Sequence, residues 1–300
     1  MEIIADSLVK SFKSKVAVSG ISFELVGKGC FGYLGPNGAG KTTTLRMLTS
    51  LLRPTSGKAL IDGFDVMKEP GKALLRVGAL IEDPQPYPWM DIGSFIDFAA
   101  GMHGIRITKS EIGEIAEKIK LPPLDSRCST LSKGQKRRVI LGALLAQDPD
   151  ILILDEPSSG LDPAESVIFR NLIIELKKDK LIFLSSHILY EVTQICDYAL
   201  FLNGGKIVER GSINELANRY KSGEIRVEFD REFDNRILDA LKSQSLIVDY
   251  IMENKFTFLV EFDGDEIKRK EIVERLYPSG IKNIQDSRLG LEKAYEELIK

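Results

Sequence analysis

Residues 35–43 read GPNGAGKTT and satisfy G-x-x-x-x-G-K-[ST] at every fixed point: Gly35, Gly40, Lys41 and Thr42. CFGYL (30–34), just before, is an apolar run suited to a buried strand, and residues 41–52 carry a helical pattern. A strand, a glycine-rich turn and a helix in that order leave few folds open. They predict an α/β core with a parallel sheet and an anion site where the strand stops. Glycines let successive backbone N–H groups converge without Cβ obstruction, and the helix N-terminus adds a positive dipole end. The expected phosphate cradle is Gly35, Pro36, Asn37, Gly38, Ala39, Gly40, Lys41, Thr42 and Thr43. Lys41 is expected to bridge β- and γ-oxygens there, and the Thr42 hydroxyl to be a Mg²⁺ ligand.

A second stretch, ILILDEP (151–157), delivers Asp155 and Glu156 at the end of an apolar strand. Open α/β sheets place their ligands at such strand ends. Two adjacent acids alone could be turn residues; with the phosphate loop upstream they gain roles. Asp155 is expected to hold Mg²⁺, directly or through water. Glu156 is the expected general base for a water attacking the γ-phosphate, a role worth on the order of 10²–10⁴ in rate.

Apolar strands alternate with helical patterns as far as Tyr220. Helices are predicted over 41–52, 70–77, 108–119 and 133–147, and over AESVIFRNLIIELKKD and LYEVTQICD. A turn is expected near Ser14 and a hairpin around Asn203-Gly204-Gly205. Beyond KSGE the pattern is strand, helix 232–242, two strands, helix 266–277, strand and a closing helix 289–299. Residues 1–220 are therefore expected as one domain. Residues 221–300 are expected as a small α+β domain of ferredoxin-like order.

LSKGQ (131–135) precedes a helix about twenty residues ahead of ILILDEP and resembles the LSGGQ signature of ATP-binding-cassette (ABC) proteins. The rest of that family's pattern follows in order: SSGLD (158–162), then His187 closing LSSH. The resemblance covers roughly residues 1–220. It implies a P-loop NTPase cassette with a parallel core sheet, an antiparallel β subdomain and a helical subdomain. It also implies ATP and Mg²⁺ as cofactors, Phe12 stacking on adenine and His187 contacting the γ-phosphate. Ser132, Gly134 and Gln135 would complete the nucleotide site of a second subunit, and Asp162 would face across that dimer. Most of the basic residues in this run are expected on a solvated or interface face. Lys133 departs from the commoner Gly and adds a positive charge near the shared phosphate.

The family usually carries Gln after the strand that here reads VGALI. Glu82 is the expected equivalent, as a Mg²⁺ or water ligand, and Gln85, between two prolines, is the other candidate. Glutamate here resembles the bacitracin- and lantibiotic-export branch. The resemblance thus implies the ATP-hydrolysing subunit of an exporter of drug, antibiotic or peptide type. Its partners would be a second nucleotide-binding subunit, most simply a copy of this chain, and a multi-span membrane subunit docked on residues 82–105.

The 300 residues carry a net charge of −3, which argues against a general nucleic-acid binder. Three scattered cysteines fit a reducing compartment. No apolar run approaches the roughly 20 residues of a spanning helix, and no signal-peptide pattern opens the chain. The expected location is cytoplasmic, peripheral on the inner face of the cell membrane. The alternative is a soluble cassette ATPase acting on nucleic acid or protein assembly. It lacks support because the chain has one phosphate loop, no zinc spacing and no long coiled coil.

Overall fold

A computed structural model describes residues 1–13, 15–220, 223–289 and 295–299. The expected turn at Ser14 lies outside the described residues. The chain divides into two compact units, Met1–Gly211 and Ser212–Lys300, a division that falls before, not after, the helix ending at Arg219.

The first unit opens with β1 (Glu2–Phe12) and β2 (Lys15–Val26), a long antiparallel pair. β3 (Gly29–Leu34) follows and leads through the phosphate loop into α1 (Lys41–Leu48). The helix expected to reach residue 52 stops at Leu48. The Thr49 hydroxyl turns back onto the Leu45 carbonyl at 2.9 Å, and Ser50 is left-handed at φ 59°. β4 (Ser56–Ile61) pairs with β1 and, across the Asp62-Gly63 turn, with β5 (Phe64–Asp65). These four strands form an antiparallel sheet in the order β2-β1-β4-β5. The helix expected over 70–77 is one turn, α2 (Pro70–Ala73), because Val77 already enters β6 (Val77–Leu80).

Three helices come next: α3 (Ile92–Met102), α4 (Lys109–Lys118) and α5 (Lys133–Leu145). Asp91, Thr108 and Ser132 cap their N-termini through side-chain oxygens. The remaining core elements are β7 (Ile151–Leu154), α6 (Pro163–Leu176), β8 (Leu181–Ser186), α7 (Leu189–Ile195), β9 (Tyr198–Asn203) and β10 (Lys206–Ser212). The second sheet runs β10-β9-β3-β8-β7-β6. Its pairs β9/β3, β3/β8, β8/β7 and β7/β6 are parallel. Every residue of β7 and β8 is buried, as strands covered on both faces require. Phe23 of β2, Tyr33 of β3 and Phe183 of β8 meet with ring centroids 5.3–6.1 Å apart, tying the antiparallel sheet to the parallel one. This is the parallel core, antiparallel subdomain and helical subdomain expected of a cassette.

The second unit holds α8 (Ile213–Arg219), β11 (Gly223–Phe229), α9 (Arg236–Ser243), β12 (Asp249–Asn254), β13 (Thr257–Phe262), α10 (Glu266–Leu276) and β14 (Ile281–Leu289). Its sheet is ordered β12-β13-β11-β14 with antiparallel pairing throughout. α9 starts later than residue 232 because Phe233 stacks on Phe229 at 4.0 Å instead of entering the helix. Leu289 ends β14; of the expected closing helix, residues 290–294 lie outside the described residues, and residues 295–298 are helical, with the Ile299 amide donating to the Tyr295 carbonyl at 3.1 Å.

Candidate active site

Parallel pairing fixes what meets at the carboxyl edge of the core sheet. Leu34 stands opposite Ser186, and Leu154 opposite Leu184, so the next residue after β7, Asp155, lies level with Ser185. The phosphate loop, the two acids and His187 therefore emerge side by side from strands far apart in sequence.

The loop admits no side chain at its two fixed glycines. A Cβ on Gly35 would lie 2.3 Å from the Leu202 carbonyl oxygen, and one on Gly40 would lie 2.5 Å from that of Ala17. Gly40 is also left-handed at φ 109° as it caps α1. Lys41 is buried, and its ammonium donates to the carbonyls of Gly35 at 2.6 Å and Pro36 at 3.3 Å. The same nitrogen lies 3.1 Å from Glu156 Oε1. The lysine thus spans the loop it follows and reaches an acid on β7's exit.

Asp155 is buried, with one oxygen accepting from the Thr42 hydroxyl at 2.8 Å and the other from the Ser185 hydroxyl at 2.5 Å. Ser185 in turn accepts from the Glu156 amide at 2.9 Å. One hydroxyl therefore orients both acids. Glu156 is held left-handed at φ 45°, a costly conformation for a residue with a Cβ and one that clusters at functional sites. Its second oxygen meets His187 Nδ1 at 2.5 Å. The carboxylate is thus clasped between Lys41 and His187.

Ser185 was not singled out from sequence, although a signal was there: two serines end an otherwise apolar, fully buried strand, LIFLSS. Ser185→Ala removes a donor from a buried carboxylate and an acceptor from the Glu156 amide. The expected result is a loss of about 1–3 kcal/mol in stability by urea denaturation. ATP turnover should fall with it.

Glu82 is left-handed at φ 66° and forms an ion pair with Arg46, on α1 one turn beyond Thr42. Gln85 is exposed, and its amide donates to the Asp83 carbonyl at 3.4 Å. Of the two candidates, Glu82 is the one joined to the phosphate-loop helix. Phe12 ends β1 with an exposed ring, and the Lys10 ammonium stands 5.1 Å from its centroid.

Ser132 caps α5 in a reciprocal box: its hydroxyl accepts from the Gln135 amide, and Gln135 Oε1 accepts from the Ser132 amide at 2.9 Å. The Ser132 hydroxyl keeps its own proton to donate. A Cβ on Gly134 would lie 2.1 Å from Glu165 Oε2, so any side chain there displaces the Glu165 carboxylate. Glu165 pairs with Arg138 at 3.1 Å and shares a capping box with Asp162, whose carboxylate accepts from the Glu165 amide at 2.8 Å. Asp162 is thus a helix cap within its own chain.

Two of the basic residues depart from the solvated or interface face expected of most of them. Arg137 donates to the carbonyls of Asp155, Glu156 and Ser159, bracing the turn that carries the acids. Burial pulls its pKa below the ordinary arginine value, against the pull of Asp83, Asp155 and Glu156. Arg138 reaches the Lys120 carbonyl as well as Glu165. Nothing in a run of four basic residues distinguishes brace from surface by sequence. Among the described residues, no hydrogen bond or ion pair joins Ser132, Gly134 or Gln135 to the phosphate loop of the same chain.

Thr42 and Asp155 offer two hard oxygens 2.8 Å apart, the donor set Mg²⁺ takes when phosphates and water complete its shell. Among the described residues no group of three or more His, Cys, Asp or Glu forms a metal cage, and such a shell does not need one. No helix among them is long and apolar enough to cross a membrane.

A family model described as ABC transporter matches residues 18–159. The chain is 34% identical over 224 residues to the ABC transporter ATP-binding protein NatA of Bacillus subtilis (strain 168), covering 72% of this chain and 91% of that protein. It is 33% identical over 246 residues to the bacitracin transport ATP-binding protein BcrA of Bacillus licheniformis, covering 81% and 79%. Its fold matches a dimeric ATP-binding cassette solved in a post-hydrolysis state with ADP and Pi. The TM-score is 0.64 at 17% identity, over 70% of this chain and 98% of that one.

Proposed function

The chain belongs to the ABC transporter family of ATP-binding subunits, and from that membership we propose how its residues bind ATP, hydrolyse it and drive a membrane partner. The observation that carries the proposal is the convergence of Lys41, Thr42, Asp155, Glu156 and His187 at one sheet edge. Phe12 stacks on adenine. The amides of residues 35–43 receive the phosphates, and Lys41 exchanges its carbonyl contacts for β- and γ-oxygens. Thr42 and Asp155 would hold Mg²⁺, which would supply charge neutralisation on those oxygens. Glu156, positioned by His187 and Lys41, takes the proton of a water that attacks the γ-phosphorus in line, releasing ADP and phosphate. Glu82, anchored to α1 by Arg46, borders the same site.

A second subunit, most simply a copy of this chain, supplies Ser132 and Gly134 to that γ-phosphate. The N-terminus of α5, which no hydrogen bond or ion pair among the described residues joins to its own phosphate loop, supports this assignment. The cargo is of the drug, antibiotic or peptide type. The likeness to BcrA and the glutamate at position 82 both support that class. The chain sits on the inner face of the membrane. Residues 221–300, within the second unit, stabilise or regulate the pair.

The membrane subunit docks on residues 82–105. Tyr87 stacks on Trp89 at 5.0 Å and meets Phe95 and Phe98 edge-on at 5.9 and 5.7 Å. Trp89 is 66% exposed, a large aromatic left in water. Pull-down from native membranes should recover a multi-span protein. Trp89→Ala should weaken that capture by about 2 kcal/mol, roughly thirtyfold, with ATP affinity unchanged. Recovery of ribosomes or DNA, and no multi-span protein, would contradict the proposal.

A further inference from the structure

Lys133 stands where local physics disfavours it. It is the first helical residue of α5, so its charge opposes the positive end of that helix's dipole. Arg137 and Arg138 follow within a turn and a half, and both are tied into the protein by carbonyls or Glu165. Lys133 is different: it is 62% exposed, and its ammonium lies 3.5 Å from Asp83 Oδ2. Its side chain also runs beside the SSGLD turn, since a Cβ on Gly160 would lie 3.9 Å from Lys133 Nζ. Asp83 follows Glu82, and the two acids point their charges to different helices. Glu82 pairs with Arg46 on the phosphate-loop helix, Asp83 with Lys133 on the signature helix. One dipeptide therefore joins the site the chain owns to the segment it lends.

We propose that Lys133 is an exchangeable phosphate contact, held by Asp83 in the free chain and transferred to the terminal phosphate of the opposing subunit's nucleotide when two chains close. Exposed ion pairs are weak and easily exchanged. A phosphate presents more charge and more acceptor oxygens than a single carboxylate, and a lysine stem is long and flexible enough to change partners. Lys133 lies between Ser132 and Gly134, so a phosphate held by those two falls within its reach. Asp83 then acts as an internal competitor that weakens closure until ATP is present. The inference rests on the shared-site assignment above and adds to it a charge that most signatures of this type lack.

The test uses the full chain carrying Glu156→Gln, with ATP and Mg²⁺, and reads the dimer dissociation constant by sedimentation. Lys133→Gln should weaken the dimer about tenfold, and that loss should shrink as salt rises. Asp83→Asn should tighten it about threefold by freeing Lys133. The two changes should not add: Asp83→Asn should have no effect once Lys133 is Gln. A Lys133→Gln dimer within twofold of its parent, or an Asp83→Asn effect that persists without Lys133, overturns the inference while leaving the shared site standing. A Glu156→Gln chain that never dimerises overturns the shared site, and the inference with it. Thermal melting of each variant, expected unchanged for two exposed positions, guards against a folding artefact.

Discussion

Glu156→Gln is expected to lower ATP turnover by about 10²–10⁴-fold and to convert the chain into a stable, ATP-loaded dimer. The amide is nearly isosteric, so Lys41 and His187 keep a neighbour of the right shape where they now meet the two carboxylate oxygens. What is lost is the capacity to accept a proton. A neutral side chain also removes a negative charge beside a triphosphate, so binding is retained or improved while chemistry stops. Single-turnover phosphate release measures the first effect, and sedimentation with and without ATP measures the second. A variant that keeps more than a tenth of its rate would place the base elsewhere.

Gly134→Glu is expected to remove steady-state turnover by at least about a hundredfold, the scale of losing a preorganised donor to the transferred group. Two effects act together. The new Cβ falls 2.1 Å from Glu165 Oε2, so the Glu165 carboxylate must leave its place beside Arg138 and the Asp162 amide. The new carboxylate also opposes any phosphate brought to that helix end. Among the described residues no hydrogen bond or ion pair joins Gly134 to the phosphate loop of the same chain, so ATP affinity of the isolated chain should not change. Fluorescent-ATP titration beside a turnover assay separates the outcomes. Loss of both would mean that Gly134 serves the chain's own nucleotide.

The phosphate loop and the two acids were legible in sequence because their chemistry fixes residue types at fixed spacing. Gly35 and Gly40 meet carbonyl oxygens that exclude any Cβ, and Lys41 and Thr42 must follow at once. The alternating strands and helices gave the parallel sheet for the same reason: buried strands such as ILIL and LIFL have no polar face to show. What stayed hidden depends on register. Ser185 reaches Asp155 only because β7 and β8 pair with Leu154 level with Leu184. Arg137 became a brace rather than a surface charge because α5 lies against the turn at residues 155–159. The left-handed backbone at Glu82 and Glu156 breaks a local preference that no residue pattern announces. Helix ends moved where a side chain found a better partner than the next turn, as at Thr49 and Phe233.

The central claim is that a nucleotide gripped by one subunit is completed by the signature helix of another. A crystal structure of the Glu156→Gln chain with ATP and Mg²⁺ tests it most directly. The expected result is the Ser132 hydroxyl and the Gly134 amide of each subunit within hydrogen-bonding distance of the terminal phosphate on its partner's Lys41. A closed pair whose α5 N-termini face solvent, with each triphosphate enclosed by one chain alone, would contradict it.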